Sequence, residues 1–267
     1  MLKKRLIPII FIKNGRIVQS KNFIRHQVIG ANVEIFKRLN TWDADEVVIL
    51  DISRNDAYNL NRNDLQYQNP KSFYEIVREI SKHCFMPITV GGGIRDLKKI
   101  EMLLNSGADK IILNYVIAHD QDLVKKAVMS FGSQCIIASV DVLKIDKNYF
   151  AMHSYGRERI EMGLLEYIKK IEDLGFGEIL INSINNDGLG NGFDINLANL
   201  VINKSHLPII LAGGARNEFH FETAFNIPKI SGVAAGNIFS YTENSYFNIK
   251  KKLFDNGLLV RKSSLIE

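Results

Sequence analysis

With 267 residues, 46% of them apolar and 24% charged, the chain is long and apolar enough to bury a large core, which excludes intrinsic disorder. The net charge of +5 is scattered apart from Lys250-Lys251-Lys252 and Arg261-Lys262; no basic stripe is interleaved with aromatics, so no nucleic-acid partner is expected. No apolar run approaches the roughly 18 residues that span a bilayer, so no membrane segment is expected.

The chain begins Met1-Leu2-Lys3-Lys4-Arg5, basic and then apolar in the manner of a signal peptide. Charge returns at Lys13 and Arg16 and no small-residue cleavage site follows, so a cytoplasmic protein is expected. In that reducing setting Cys84 and Cys135, which lack metal or pairing spacing, read as buried free thiols. Apolar runs rich in β-branched residues then recur at 6–12, 46–52, 88–90, 110–113, 135–141, 178–183, 209–211 and 232–235. Helical periodicity fills most of the gaps, at 72–83, 97–105, 121–130, 164–174 and 197–202. Two stretches break this rhythm. Residues 53–68 are polar, rich in Asn and Asp, and read as a long loop after the second strand. Residues 144–155 alternate Tyr149, Ala151, His153 and Tyr155 and read as a hairpin after the fifth.

Strands alternating with helices imply parallel βαβ units, and eight of them imply one (β/α)8 TIM barrel. An open doubly wound sheet is the alternative. No linker or low-complexity stretch divides the chain, so 1–267 reads as a single domain.

Two strand ends resemble each other. Met86-Pro87-Ile88-Thr89-Val90 leads into Gly91, Gly92 and Gly93; Leu207-Pro208-Ile209-Ile210-Leu211-Ala212 leads into Gly213 and Gly214. Each reads as strand, phosphate loop and helix, the helices spanning 94–105 and 215–225. Glycine lets backbone N–H groups approach an anion, and a helix N-terminus adds a favourable dipole. Two copies suggest an internal twofold between half-barrels and a ligand with a phosphate at each end. The candidate phosphate-binding residues are Gly91, Gly92, Gly93, Asn114, Asp187, Gly188, Gly213, Gly214, Gly236 and Asn237.

In a barrel of this type the active site lies at the C-terminal strand ends. The only carboxylates on or just after strands are Asp51, Asp141 and Asp187. Asp141 follows residues 136–140, a run expected to be fully buried, so its carboxylate projects into the barrel mouth, where burial raises its pKa and suits it to general acid or base work. A structural aspartate bonded to loop N–H groups is the alternative, as is a plain turn at Asp187-Gly188. His26, His83, His119, His153, His206 and His220 avoid strand ends and metal-ligand spacing; most read as surface residues, and neither metal nor cofactor is expected. At the opposite end, Arg5, Glu46, Lys110 and Glu178 sit at the starts of strands one, two, four and six. They would converge as a ring, either a salt-bridged plug or a gate to an internal channel.

These residues together resemble the cyclase subunit family of imidazole glycerol phosphate synthase over essentially the whole chain. The resemblance is carried by Met1-Leu2-Lys3-Lys4-Arg5, Lys13-Asn14-Gly15-Arg16-Ile17-Val18, Leu50-Asp51-Ile52, Val90-Gly91-Gly92-Gly93-Ile94, Gly107-Ala108-Asp109-Lys110, Phe131-Gly132-Ser133-Gln134, Gly177-Glu178-Ile179-Leu180 and Asn186-Asp187-Gly188. It implies a heterodimer with a glutaminase subunit at the N-terminal face, whose ammonia passes Arg5, Glu46, Lys110 and Glu178, crosses the barrel and meets a phosphorylated small molecule at the top. Asp109 matches a position that faces the glutaminase. The family's acid/base pair implies an aspartate ending strand one and another ending strand five. Asp141 matches the second, but Phe11 stands at the first, and a phenyl ring exchanges no proton. Gln19 replaces a lysine, and Asn182, Tyr115 and Leu189 replace threonines.

An intact ring with a broken acid/base pair resembles paralogues linked to surface-polysaccharide genes, which pass ammonia toward amidation of an acetamido sugar beside a sugar amidotransferase. That is the favoured expectation. The alternatives are a true cyclase of histidine biosynthesis, a non-enzymatic activator of the glutaminase and a generic sugar-phosphate isomerase.

Overall fold

The protein is described by a computed structural model over residues 3–21, 23–30, 32–54, 58, 70–241 and 244–265. Strand β1 (Arg5–Lys13) turns through Asn14 and Gly15 into β2 (Arg16–Lys21), which pairs with β3 (Arg25–Gly30). Then come α1 (Asn32–Thr41), β4 (Val47–Asp51), α2 (Phe73–Ser81), β5 (Ile88–Gly91), α3 (Leu97–Asn105) and β6 (Lys110–Leu113). The middle holds α4 (Tyr115–His119), α5 (Gln121–Phe131), β7 (Ile136–Ile145), β8 (Asn148–His153), β9 (Glu158–Arg159), α6 (Leu164–Asp173) and β10 (Glu178–Ser183). The chain finishes with α7 (Ile195–Ile202), β11 (Ile209–Ala212), α8 (Glu218–Phe225), β12 (Ile230–Ala235), α9 (Ile238–Tyr241) and α10 (Ser245–Asp255).

Eight strands pair in the order β1, β4, β5, β6, β7, β10, β11, β12, all parallel, and β12 pairs back to β1. The sheet is therefore a closed barrel, as in a (β/α)8 fold, and not the open alternative. Two hairpins hang from its C-terminal end. One is β2–β3, after β1. The other is β8–β9, after β7, which runs on to Ile145 and turns back at Asp146, giving the hairpin expected at 144–155.

Strand periodicity explains how one β-strand serves two cores. On β1, Leu6, Ile10 and Ile12 face the helices, whereas Ile7, Ile9 and Phe11 face the barrel interior with Val48, Ile112, Ile137, Leu180, Ile210 and Ala234. Strands buried on both faces read as unbroken apolar runs, which is why they were visible in sequence. Each fully buried Ile or Leu contributes roughly 1.5–3 kcal/mol. The helices pack by the other period: on α2, Phe73, Ile76, Val77 and Ile80 are buried at helical spacing, and the Ser72 hydroxyl caps the start by accepting from the Glu75 N–H.

The hairpin β2–β3 and helices α1 and α10 were not anticipated. Of the expected loop 53–68, only Ser53, Arg54 and Tyr58 fall among the described residues; the rest lies outside them. Cys84 and Cys135 are free and half-buried rather than fully buried, and burial pushes the Cys84 thiol up to about 11. Among the described residues no helix is long and apolar enough to cross a membrane.

Candidate active site

A cavity of about 260 Å³ opens at the C-terminal ends of the barrel strands. Phe11, Asp51, Asp141 and Asp187 line it, and so do Gly92, Gly93, Asn114, Gly188, Gly213, Gly214, Gly236 and Asn237. Gly91 does not. It lies within β5, where a Cβ would sit 2.0 Å from the Ile112 side chain, so its role is to let β5 and β6 pack.

The glycine loops form two walls. Strand β5 stands four places from β11 in the eight-strand order, and β6 four from β12, so the walls oppose each other across the barrel. Two of these glycines are conformationally obligatory. Gly92 has φ 114°, and a Cβ there would meet the Asp51 carbonyl oxygen at 2.0 Å; Gly214 has φ 107°, and its Cβ would meet the Gly192 oxygen at 2.1 Å. The expected helix contribution is displaced. Helices α3 and α8 begin at Leu97 and Glu218, not at 94 and 215, and their first turns are occupied by their own caps. Asp96 accepts from the Lys99 N–H at 2.7 Å and Asn217 from the His220 N–H at 3.1 Å. The helices that open at the cavity wall are the single-turn α4, just after Asn114, and α9, just after Asn237.

The three carboxylates are in different states. Asp51 accepts from the Ser53 N–H at 2.9 Å and the Tyr58 hydroxyl at 2.8 Å. Asp187 accepts from the Ser20 hydroxyl at 3.1 Å, and Asn237 donates to the Ser20 carbonyl at 2.8 Å. Asp51 thus braces the loop after β4, and Asp187 anchors the β2–β3 hairpin. Burial raises the pKa of both. Among the described residues Asp141 is held only by neutral amides, from Asn114 at 3.0 Å and Asn182 at 3.3 Å. Burial, with a smaller contribution from Asp187, raises its pKa to about 7, so it exchanges a proton near neutrality. Phe11 contributes no such group. Its ring lies against Gly236 and caps the apolar interior beneath the cavity.

The other end of the barrel carries a closed ion ring. Arg5 reaches Glu46 at 2.6 Å and also pairs with Glu178; Lys110 lies 3.4 Å from Glu46 and 3.9 Å from Glu178. Sequence reading missed two further members, which fill strand starts facing the same opening. Thr89 on β5 donates to Glu46 at 2.8 Å, and Ser231 on β12 contacts Glu178 at 2.8 Å. Asp109 stands exposed beside the ring, where its carboxylate accepts from the Ile88 N–H at 2.7 Å.

One histidine departs from expectation. His153 ends β8, is buried, and packs with Tyr115 and His119; the two imidazoles lie 4.7 Å apart. The cavity also gathers basic side chains that sequence reading did not assign to it: Lys13, Arg54, Arg95 and Arg157, together with His26, whose pKa burial and Lys13 lower. Their one signal was position, since each follows a barrel strand or sits on a hairpin above it.

Over residues 5–245 the sequence matches the family model described as Histidine biosynthesis protein. It is 34% identical over 262 residues to the imidazole glycerol phosphate synthase subunit HisF of Bacillus cereus, and equally to the proteins of that name from Streptococcus mutans and a Hydrogenobaculum species. These matches cover 98% of this chain and 100% of each relative. The chain belongs to the HisF family. This HisF-family barrel combines a closed ion ring at the strand starts, an apolar interior, and a cavity with opposed glycine walls around Asp141, which among the described residues is held by amides alone.

Proposed function

We propose that this HisF-family barrel receives ammonia from a glutaminase subunit docked at its N-terminal face and passes it to an acceptor other than an imidazole precursor. In this reading Arg5, Glu46, Lys110 and Glu178 gate the entry, Asp109 faces the glutaminase, and the apolar interior carries neutral ammonia. The acceptor is an acetamido sugar of surface-polysaccharide biosynthesis. The ammonia nitrogen replaces its amide oxygen, for a net loss of one water, in a reaction carried out by a separate sugar amidotransferase. The glycine walls hold a phosphorylated ligand. The observation that carries the reading is the state of the cavity carboxylates: Asp51 and Asp187 are committed to loop and hairpin, Phe11 fills the strand-one position, and Asp141 alone is left for proton transfer. Ring closure by an acid/base pair needs two such groups, and losing one commonly costs about 10²–10⁴ in rate.

A second reading, a histidine-pathway cyclase, is favoured by the full-length identity to subunits bearing that name. Complementation separates the two. Expressed with its glutaminase in a cyclase-deficient histidine auxotroph, the chain is expected not to restore growth; growth without histidine would establish the second reading.

A further inference from the structure

We propose that the cavity mouth binds an additional phosphate or pyrophosphate group through a collar of Arg54, Arg95 and Arg157, so that the ligand carries charge at the rim as well as on the glycine walls. This rests on the reading that the cavity takes a phosphorylated small molecule.

The three arginines come from three separate segments. Arg54 follows β4, Arg95 follows the glycine loop of β5, and Arg157 sits at the tip of the β8–β9 hairpin, yet all line one cavity. All three are near enough to the Tyr155 hydroxyl to oppose the rise in its pKa that burial causes. Like charges brought together repel unless carboxylates or a bound anion compensate them. Among the described residues Arg54 and Arg157 form no ion pair. Arg95 lies over the Tyr115 ring, 4.5 Å from its centre, a contact that fixes the guanidinium but leaves its charge uncompensated. The nearby Asp51 carboxylate, which accepts from the Ser53 N–H and the Tyr58 hydroxyl, supplies at most one negative charge against three guanidinium groups.

The backbone holds the collar in place. Ser154, Tyr155 and Gly156 are left-handed in succession, with φ 51°, 63° and 74°. Two non-glycine residues in that region persist where their surroundings over-determine them, as happens at ligand clamps. The restraints are visible: the Tyr155 hydroxyl donates to the Ser53 carbonyl at 3.0 Å, and a Cβ on Gly156 would stand 3.0 Å from both Ile184 and Phe23. The tip is thereby tied to the loop that bears Arg54. Planar guanidinium groups converging on a partly enclosed site suit bidentate recognition of phosphate oxygens.

The test is calorimetric titration of the isolated full-length chain with inorganic pyrophosphate and, separately, inorganic phosphate, at several salt concentrations. Arg54→Gln and Arg157→Gln are each expected to weaken pyrophosphate binding about tenfold and to flatten its salt dependence. Both side chains are exposed, and circular dichroism checks that each variant folds; Arg157→Lys, expected to retain part of the affinity, guards against loss by misfolding. Pyrophosphate binding unchanged in both Gln variants, or weakened only by Gly214→Ala on the glycine wall, would overturn the collar. So would a wild type that binds neither anion. The assay contains no glutaminase, ammonia or sugar, so its failure is distinct from failure of the ammonia-delivery reading.

Discussion

Asp141 is the cavity carboxyl that, among the described residues, is held by amides alone, and its titration is measurable. A carboxyl whose folded pKa, about 7, exceeds the ordinary value of 3.8 binds its proton more tightly in the folded chain. Between those limits the folded state keeps a proton that the unfolded state has released, so stability falls as pH rises through the window and levels off above it. Asp141→Asn removes that slope. Its stability relative to wild type should rise by on the order of 4 kcal/mol from pH 4 to pH 7 and then stay constant; parallel melting curves across pH 4–9 would contradict the assignment. Asp141 was legible because it follows the buried first half of β7. Asp51 ends β4 and Asp187 lies just beyond β10, and only the positions of Tyr58 and Ser20 distinguish a committed carboxylate from an available one. Arg54, Arg95 and Arg157 were not legible: an isolated loop arginine looks like any solvated charge until the fold brings three together.

At the level of elements, the barrel strands announced themselves and the segments above the barrel did not. β3 is almost wholly exposed and lacks an apolar face, so the β2–β3 hairpin left no alternating pattern to read. The starts of α3 and α8 were misplaced because Ile94 and Ala215 continue the apolar pattern of the helices behind them. The true boundaries are marked by Asp96 and Asn217, both strong N-cap residues. Asp96→Ala should therefore lower stability by about 1 kcal/mol in urea unfolding. It should leave pyrophosphate binding intact, because the cap serves α3 and not the cavity. A loss of anion binding in this variant would restore the helix-terminus reading.

The whole molecule is closed at its base by charges that composition placed on the surface. Lys250, one of three successive lysines, is fully buried and reaches Asp45 at 2.7 Å and the Asp43 carbonyl at 2.8 Å. Arg261 binds the same two aspartates, at 2.8 Å and 2.7 Å, so α10 and the tail are locked beneath β1 and β4. Lys250→Ala leaves Asp45 buried with one cation fewer and should cost about 3–5 kcal/mol, read as a shift in the urea midpoint; a shift below 1 kcal/mol would show the pair to be incidental. In the proposed function the ion ring and apolar interior lead from the end that would face a glutaminase to a cavity in which Phe11 stands where an acid/base partner was expected. The most direct test is turnover of the bisphosphorylated ribonucleotide from which a cyclase of the resembled family would make its imidazole product, with saturating ammonium to bypass the glutaminase, in wild type and Phe11→Asp. The account predicts a silent wild type and a gain of ring closure in the variant. Wild-type turnover on the order of 1 s⁻¹ or more, typical of enzymes, would contradict it and make this barrel a cyclase.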